Sequence, residues 1–434
     1  MLLRQRSRAQ RRCIALAFVT ALTACGGGGG PSDLGQAPFA PPISLPVQPP
    51  PAAPPGVRGP LPYQTAQLVL GQSGFDQEQP NAGGATGAQT LYQPKGLAVT
   101  PEGHLLVADA LNNRILLFDQ LTQHGQAAVG LLGQGGFEDS GYSGEPGRMA
   151  RPRAIAVGHG KMAVADTLNQ RILIYDQILA PEQSLAPSVV IGGGVFSYNF
   201  YEPSSVAITP LGQLIVADTL HHRVLIWDHV PATQAEVGPP QLVLGQGDLS
   251  HVTENDDDQN HRRDVIGLVD RATARTLSEP YGVWSDGRRL AVADAGNNRV
   301  LIWTDFPTDN FQEADLVLGH SDFHNTRINS EADFDHHGAH PTAATLFLPA
   351  GIHFDGATFA VADAGNNRVL IWNDFPSVNL QPADIVLGQL DAEQGQGPLE
   401  PTSQVFSTPE GVVLTQDAVY VSDRFHSRVL VLRR

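Results

Sequence analysis

The sequence has few charged residues and almost no cysteine. Only 16% of its 434 residues are Asp, Glu, Lys or Arg, and its two cysteines are Cys13 and Cys25. A chain of this length can bury a large core, so it does not need disulfides for stability. The formal net charge is −17. Binding to nucleic acid or to anionic lipid needs a basic surface, so no nucleic-acid partner is expected.

Familiar catalytic motifs are also missing. The sequence contains no Gly-x-Ser-x-Gly motif, P-loop, dinucleotide fingerprint or Cys/His pairing. Glycine and proline are plentiful instead, at 45 and 33 residues. Both residues punctuate short strands and turns, so the composition favours an all-β fold.

The first 24 residues have the features of a signal peptide. Arginines precede a short apolar run, residues 14–22, which cannot span a bilayer. The run ends in Leu22-Thr23-Ala24-Cys25, which resembles the lipobox of bacterial lipoproteins. That resemblance implies cleavage before Cys25, acylation of its thiol, and a lipid anchor in the outer membrane facing the periplasm or the cell surface. The alternative is an ordinary secretory signal with a chance cysteine.

Residues 25–62 are predicted to carry the lipid and to form a linker to a folded domain at residues 63–434. A glycine run at residues 26–30 is followed by a proline-rich stretch. Such a stretch extends by about 3 Å per residue, so it could hold the domain up to roughly 100 Å from the membrane.

One motif recurs six times in the predicted domain. Each copy has a proline, an apolar run ending in Asp, four further residues, and an Arg that opens a second apolar run. The Asp and Arg pairs are Asp109/Arg114, Asp166/Arg171, Asp218/Arg223, Asp294/Arg299, Asp363/Arg368 and Asp423/Arg428. The preceding prolines are Pro94, Pro152, Pro203, Pro280, Pro349 and Pro409. Recurrence in every copy favours a structural role, in which each Arg pairs with its Asp, over six catalytic sites.

A further apolar run completes each unit, and its first copy is residues 68–72. All four runs of a unit have strand length and turn residues between them. Four antiparallel strands repeated six times predict a six-bladed β-propeller with four-stranded blades. Because one such run precedes the first unit and none follows Arg428, we expect residues 67–72 to complete the last blade and close the ring.

These units resemble NHL repeats, which carry a Pro-x-Gly start and a V-A-D-x-x-N-x-R centre. The resemblance covers about residues 67–434 and implies the same propeller fold. The aspartates of successive copies are 52 to 76 residues apart, which is longer than usual for NHL units. The extra residues lie mainly between the fourth run and the next proline.

Positions that do not repeat are the candidates for function. The residue after each proline is expected to face the mouth of the central channel, and four of these residues are candidate ligand contacts: Lys95, Arg153, Tyr281 and Glu410. Lys95 and Arg153 belong to adjacent blades and are expected to form a local cationic spot. The third and sixth Asp-to-Arg turns differ from the others, which adds His221, His222, Arg424 and His426. The alternative is that all eight are solvated rim residues.

Potential metal ligands occur in two insertions and on one strand. One insertion contains His336, His337 and His340, and another contains the acidic run at residues 256–258. His353 replaces alanine on an expected innermost strand. No recognised ligand spacing is present, so these residues are interpreted as ordinary polar surface and, for His353, as a hydrogen-bonded core histidine. Binding of zinc or calcium is the alternative. No cofactor is predicted.

Two functions fit these features. The favoured hypothesis is a membrane-anchored module that binds a protein or glycan partner through its loop-rich face, with no catalytic residue. The alternative, implied by resemblance to other six-bladed propellers, is a metal-dependent lyase or lactonase with its site at the channel mouth.

Overall fold

The computed structural model of the chain describes residues 65–433, except residues 146, 195–198, 267–268, 331–339 and 398–399. The predicted signal peptide and linker, Cys25, His336 and His337 lie outside the described residues. Within the described part of the chain, no helix is long and apolar enough to cross a membrane.

The described strands form six four-stranded antiparallel sheets and one two-stranded sheet. The first strand, β1 (Leu68–Leu70), belongs to the last blade. Blade 1 contains β2 (Pro94–Val99), β3 (Leu105–Asp109), β4 (Arg114–Phe118) and β5 (Gly130–Leu132). Blade 2 contains β6 (Pro152–Gly158), β7 (Lys161–Asp166), β8 (Arg171–Tyr175) and β9 (Val189–Gly192). Blade 3 contains β10 (Pro203–Ile208), β11 (Leu214–Asp218), β12 (Arg223–Trp227) and β13 (Leu242–Leu244).

The other three blades follow the same order. The insertion before blade 4 contributes the two-stranded sheet of β14 (Val265–Ile266) and β15 (Val269–Asp270). Blade 4 contains β16 (Pro280–Ser285), β17 (Leu290–Asp294), β18 (Arg299–Trp303) and β19 (Leu316–Leu318). Blade 5 contains β20 (Pro349–Phe354), β21 (Phe359–Asp363), β22 (Arg368–Trp372) and β23 (Ile385–Leu387). Blade 6 contains β24 (Pro409–Leu414), β25 (Ala418–Asp423) and β26 (Arg428–Arg433), with β1 as its outermost strand.

Short 3₁₀ helices occupy several turns of the described chain. Five of them fill the Asp-to-Arg turns of blades 1 to 5: Ala110–Asn112, Thr167–Asn169, Thr219–His221, Ala295–Asn297 and Ala364–Asn366. Two others lie in connections, at Pro80–Gly83 and Gln234–Glu236. The residue before each motif Arg in these five turns has a left-handed backbone, as at Asn113 (φ 56°), which suits asparagine.

The motif Asp and Arg form the frame of each blade, as predicted. In all six blades the Arg Nε donates to the Asp Oδ2 over 2.7–2.8 Å. The Oδ1 atom of the same Asp accepts a backbone N–H two residues before the motif proline, over 2.6–2.7 Å. The Asp therefore ties the second strand of its blade to the segment that enters the first, and we call each such Asp and Arg a frame pair.

The core lies between neighbouring blades. The aromatic residue that ends the third strand packs against the preceding blade, as Trp303 does against Ile215 and Val224. Trp303 and Trp372 are almost fully buried. These aromatics thus stabilise the ring by blade-to-blade packing.

Strand β1 joins the two ends of the described domain. Leu68, Val69 and Leu70 pair with Val431, Leu430 and Val429, and all three side chains are buried. The N-terminal strand therefore covers the edge of β26 that would otherwise be open.

Candidate functional site

The six innermost strands surround a central channel of about 260 Å³. Each strand begins at its motif proline, so the next residue lies at the same end of the channel in every blade: Lys95, Arg153, Ser204, Tyr281, Ala350 and Glu410. We call this end the mouth. Since each motif Asp pairs with the proline of its blade, as Asp109 does with Pro94, the Asp-to-Arg turns lie on the same side of the ring, the mouth face.

A hydrogen-bonded network crosses the mouth between blades 1, 4 and 6. The Lys95 ammonium lies 2.5 Å from Glu410 Oε2 and donates to the Tyr281 hydroxyl over 3.0 Å. Tyr281 in turn donates to Glu410 Oε2 over 2.8 Å. Glu410 Oε1 accepts from Arg424 Nη1 over 2.5 Å. Glu410 is therefore the common acceptor of three donors.

Arg153 completes this group from blade 2. Its guanidinium lies 5.6 Å from the centre of the Tyr281 ring, a distance typical of a cation–π contact. Its Nη2 donates to Glu202 over 3.1 Å at the rim. We call Lys95, Arg153, Tyr281, Glu410 and Arg424 the mouth cluster. The predicted cationic spot exists, but Glu410 neutralises part of it.

Burial shapes the charges of the mouth cluster. Burial lowers the pKa of Lys95 to about 7, and Arg153 and Arg424 act in the same direction against the attraction of Glu410. Burial alone would raise the pKa of Glu410, but Lys95 and Arg424 outweigh it and bring the value to about 2. Burial and then Glu410 raise the pKa of Tyr281, so its hydroxyl stays protonated. At neutral pH the cluster has one permanent anion and two permanent cations, and the lysine is balanced between two states.

We expect the stability of the domain to increase with pH between about 7 and 10 through Lys95. Its pKa is about 7 in the folded protein, against an ordinary lysine value of 10.5, so the unfolded chain binds the extra proton in this range and a rise in pH favours folding. The slope should approach about 1.4 kcal/mol per pH unit. The free energy of unfolding of Lys95→Met, measured with urea over this pH range, should not show that slope.

Lys161→Met is the matched control for this measurement. Lys161 forms an ion pair with Asp176, whose side chain is 55% exposed, so its removal should leave the slope unchanged. The same slope in Lys95→Met and in the wild type would contradict the assignment to Lys95. Below pH about 4.5 the wild type should lose stability, because protonation of Glu410 removes its bonds to Lys95 and Arg424.

Five of the eight predicted contact residues thus meet in the mouth cluster, and three histidines do not. His221 and His426 occupy the turn position of Asn112 and bind their own motif aspartates over 2.9 and 2.8 Å. Asn112 makes the same bond to Asp109 over 2.8 Å. These two histidines therefore replace an asparagine within the frame.

His222 replaces an asparagine of a different kind. At the equivalent position Asn298 Oδ1 accepts the backbone N–H of Leu348 in the next blade over 3.0 Å. His222 Nδ1 accepts the backbone N–H of Glu279 over 3.0 Å in the same way. Burial lowers the pKa of His222, which suits a neutral ring that accepts this bond. His222 therefore latches blade 3 to blade 4.

The candidate metal ligands do not form a common donor set. Among the described residues, no group of three or more His, Cys, Asp or Glu side chains is placed to hold a metal ion. His353 lines the channel, where its Nδ1 accepts the Leu414 N–H over 3.3 Å and burial lowers its pKa to about 4. His340 is exposed. The Asp256 carboxylate accepts two backbone N–H groups, and Asp257 pairs with Arg275.

The mouth also does not fit a metal ion. Its single buried carboxylate, Glu410, already binds the ammonium of Lys95 and the guanidinium of Arg424. A divalent cation requires several oxygen or nitrogen donors and is repelled by neighbouring positive charge. We therefore derive no chemistry from a metal at this site.

Two partners of the mouth cluster were missed from the sequence. Gln93 Oε1 accepts from Arg424 Nε over 3.3 Å, and Glu202 pairs with Arg153. Both residues directly precede a motif proline, and both have a left-handed backbone. Aligning that position across the six copies marks it as variable, but blade 4 also has a glutamate there, Glu279, so alignment does not single out Glu202.

The model of the NHL repeat matches the chain at residues 91–118 and 200–227. Each match runs from the approach to the motif proline through the third strand of its blade, in blades 1 and 3. No curated protein matches the sequence.

Several solved structures are similar to the chain at low identity. The PQQ-bound form of an aldose sugar dehydrogenase from Streptomyces coelicolor has 16% identity over 80% of this chain and 95% of that one, with a TM-score of 0.41. A virginiamycin B lyase from Staphylococcus aureus has 11% identity over 80% and 97%, with a TM-score of 0.40. An auxiliary nutrient binding protein from Bacteroides thetaiotaomicron has 12% identity over 79% and 69%, with a TM-score of 0.43.

These likenesses carry no functional argument for this chain. The chain carries NHL repeats in blades 1 and 3 of a six-bladed β-propeller with four-stranded blades.

Proposed function

We propose that this propeller is a binding module, anchored in the bacterial outer membrane by a lipid on Cys25, that recognises a protein or glycan partner through its mouth face. The mouth cluster is the observation that carries the proposal. Blades 1, 2, 4 and 6 each contribute to it a polar side chain that the other blades do not repeat. The frame pairs already hold the fold together, so the frame does not account for these residues.

The long insertions extend the same face. In blade 1, Arg114 donates to the carbonyl of Phe137 and Asn113 to that of Ser140, so the insertion after β5 packs on the Asp-to-Arg turn. Large apolar side chains are also exposed on this face, including Leu168 and Phe425 at turn tips. Charged groups at a mouth, surrounded by variable loops and exposed apolar residues, are typical of a recognition surface.

Site-specific photocrosslinking in cells tests the face. A photoreactive residue at Phe425, which is 43% exposed on the mouth face, should capture the partner. The matched control is Leu211, which is 45% exposed and lies in the β10–β11 hairpin at the opposite end of the channel. It should capture none.

The mouth cluster is tested by adding Arg153→Gln and Arg424→Gln to the Phe425 probe. We expect the yield of the crosslink to fall about tenfold or more, since each charge-assisted hydrogen bond lost with a guanidinium contributes about 1.5–3 kcal/mol. Capture from Leu211 as strong as that from Phe425 would contradict binding through the mouth face. So would a crosslink yield that the two arginine substitutions leave unchanged.

A further inference from the structure

Lysine is rare in this chain, and its placement is informative. The sequence has 27 Lys and Arg residues, and only Lys95 and Lys161 are lysines. Lys161 lies on β7 and forms a partly exposed ion pair with Asp176. Lys95 instead lies in the mouth with its side chain 8% exposed. The frame pairs use arginine at their buried cationic positions, as at Arg114 and Arg299, so a lysine at the mouth is an exception.

Arginine and lysine differ most in such a place. A guanidinium remains charged in proteins, whereas a buried ammonium can lose its proton and become a nucleophilic amine. Burial lowers the pKa of Lys95 to about 7, which makes the neutral amine accessible at neutral pH. An ordinary lysine is neutral in only about one molecule in 10³ at that pH. Only a lysine at this position can supply a free amine.

The surroundings of Lys95 suit an amine that reacts. Lys95 lines the central channel, which has a volume of about 260 Å³. The Tyr281 hydroxyl and the Glu410 carboxylate lie 3.0 and 2.5 Å from the nitrogen. The Tyr281 hydroxyl can donate a proton, and the Glu410 carboxylate can accept one.

The neighbouring arginines suit a carboxylate on the same molecule. Arg153 uses Nη2 for Glu202, and Arg424 uses Nε and Nη1 for Gln93 and Glu410. A guanidinium has five N–H donors, so each retains donors for a ligand anion. Both side chains are only partly buried, at 12% and 15% exposed.

We propose that the Lys95 amine forms a reversible imine with the carbonyl group of a small aldehyde or keto acid whose carboxylate is held by Arg153 and Arg424. This inference rests on the proposed function of the mouth as a binding site. Beside the protein or glycan partner of the mouth face, it adds a small-molecule ligand class, carbonyl compounds with a nearby carboxylate, and a covalent step.

The step balances without any further reactant. The lone pair of Nζ attacks the carbonyl carbon, and the electrons of the C=O double bond move to oxygen, which takes a proton from the Tyr281 hydroxyl. The nitrogen passes one proton to Glu410, which gives the neutral carbinolamine. Glu410 then protonates the hydroxyl group, which leaves as water, and the remaining proton on nitrogen returns to the Tyr281 oxygen. A C=N bond replaces the C=O bond, and hydrolysis restores the amine and the carbonyl compound. Tyr281 and Glu410 return to their starting protonation states when the water leaves.

Reductive trapping on the intact protein tests the imine. Glyoxylate with cyanoborohydride at pH 7 should convert Lys95 to a stable secondary amine, located by mass spectrometry of the digested protein. Lys161 in the same sample is the internal control, and its labelling should be at least about tenfold slower, in line with the small neutral fraction of an ordinary lysine. Glyoxylamide, the neutral amide of the same aldehyde, should label Lys95 several-fold more slowly because it lacks the carboxylate.

Two variants complete the design. Lys95→Arg keeps the positive charge and should show no label in the mouth. Arg153→Gln should slow the labelling by glyoxylate more than that by glyoxylamide, because loss of the guanidinium raises the pKa of Lys95 for both reagents but removes a carboxylate contact only for glyoxylate. Labelling of Lys95 no faster than of Lys161 in the wild type would overturn the inference, whether or not the variants fold. If crosslinking from the mouth face nevertheless succeeds, the binding role stands and the imine alone is wrong.

Discussion

Replacing residues 67–72 by a glycine/serine segment of equal length should remove most of the stability of the domain. Leu68, Val69 and Leu70 become exposed in such a variant, although all three are buried in the native ring. Burial of an aliphatic side chain contributes about 1.5–3 kcal/mol, so the combined loss is about 5 to 9 kcal/mol. Domains are commonly stable by only about 5–15 kcal/mol in total.

The loss has a second component at the strand edge. Without β1, the outer edge of β26 loses its partner strand from Val429 to Val431, and an open edge of this kind promotes aggregation. Gln72, just after β1, also donates to the carbonyls of His426 and Ser427 over 3.3 and 3.2 Å. Its replacement detaches the N-terminal segment from the turn of blade 6.

Urea unfolding of the full chain and of the variant measures this effect. The matched control replaces Val265–Ile266 and Val269–Asp270, which form the separate two-stranded sheet of β14 and β15, by glycine and serine. That control should unfold within about 1 kcal/mol of the wild type, because these two strands pair with no strand of a blade and changes outside the core have small effects. Equal stabilities for the two variants would show that β1 does not hold the ring together.

The repeated part of this fold could be predicted from the sequence because the chain provides its own alignment. A proline, an Asp and an Arg at constant spacing define where each blade starts and where its central turn lies. The mouth residues followed from the same register, since position after the proline determines which residue faces the channel. The repeated motif spans a short stretch of chain, and the backbone geometry of such a stretch is determined by residues close to it in sequence.

The contacts within the mouth could not be derived in this way. Lys95 and Glu410 are 315 residues apart in the chain, and their blades are adjacent only because the ring closes. Tyr281 reaches the same carboxylate from blade 4. A list of residues at a mouth does not show that one carboxylate will accept from three donors, because that depends on side-chain length across the channel.

The three histidines show the opposite case. His221, His222 and His426 stand where other copies carry a polar residue with an established frame or latch role, and the structure gives them that role. A change of residue type within a repeat therefore does not by itself indicate function. A change of residue type indicates function when the equivalent residue in another blade has no structural role. Ala350, at the position of Tyr281 and Glu410, is such a residue.

Asp363→Ala should reduce the free energy of unfolding by about 3–5 kcal/mol, because it leaves a buried arginine without its anion. Asp363 and Arg368 are both inaccessible to solvent and lie 2.7 Å apart. Burial raises the pKa of Asp363, and Arg368 opposes that shift, so the ionised pair depends on both members. The substitution also removes the acceptor for the backbone N–H of Phe347 and for the side chain of Asn366.

Arg368 adds to the cost, because its other nitrogens hold the insertion before blade 5. It donates to the carbonyls of Thr342 and Thr345 over 2.7 and 3.0 Å, and these bonds weaken if the guanidinium moves towards water. The matched control is Asp305→Ala, which breaks an ion pair with Arg288 that is 3.6 Å long and mostly exposed. It should change stability by no more than about 0.5 kcal/mol.

Chemical unfolding of Asp363→Ala, Arg368→Met and the double variant separates the pair from its surroundings. If the frame pair stabilises the blade as a unit, each single substitution should lower the free energy of unfolding by more than half of what the double substitution does. The coupling free energy should then be about 2 kcal/mol or more. Blade 5 is the appropriate place for this test, because its mouth residue is Ala350 and the mouth cluster should remain intact. A loss below about 1 kcal/mol for Asp363→Ala would mean that the motif is retained for something other than stability.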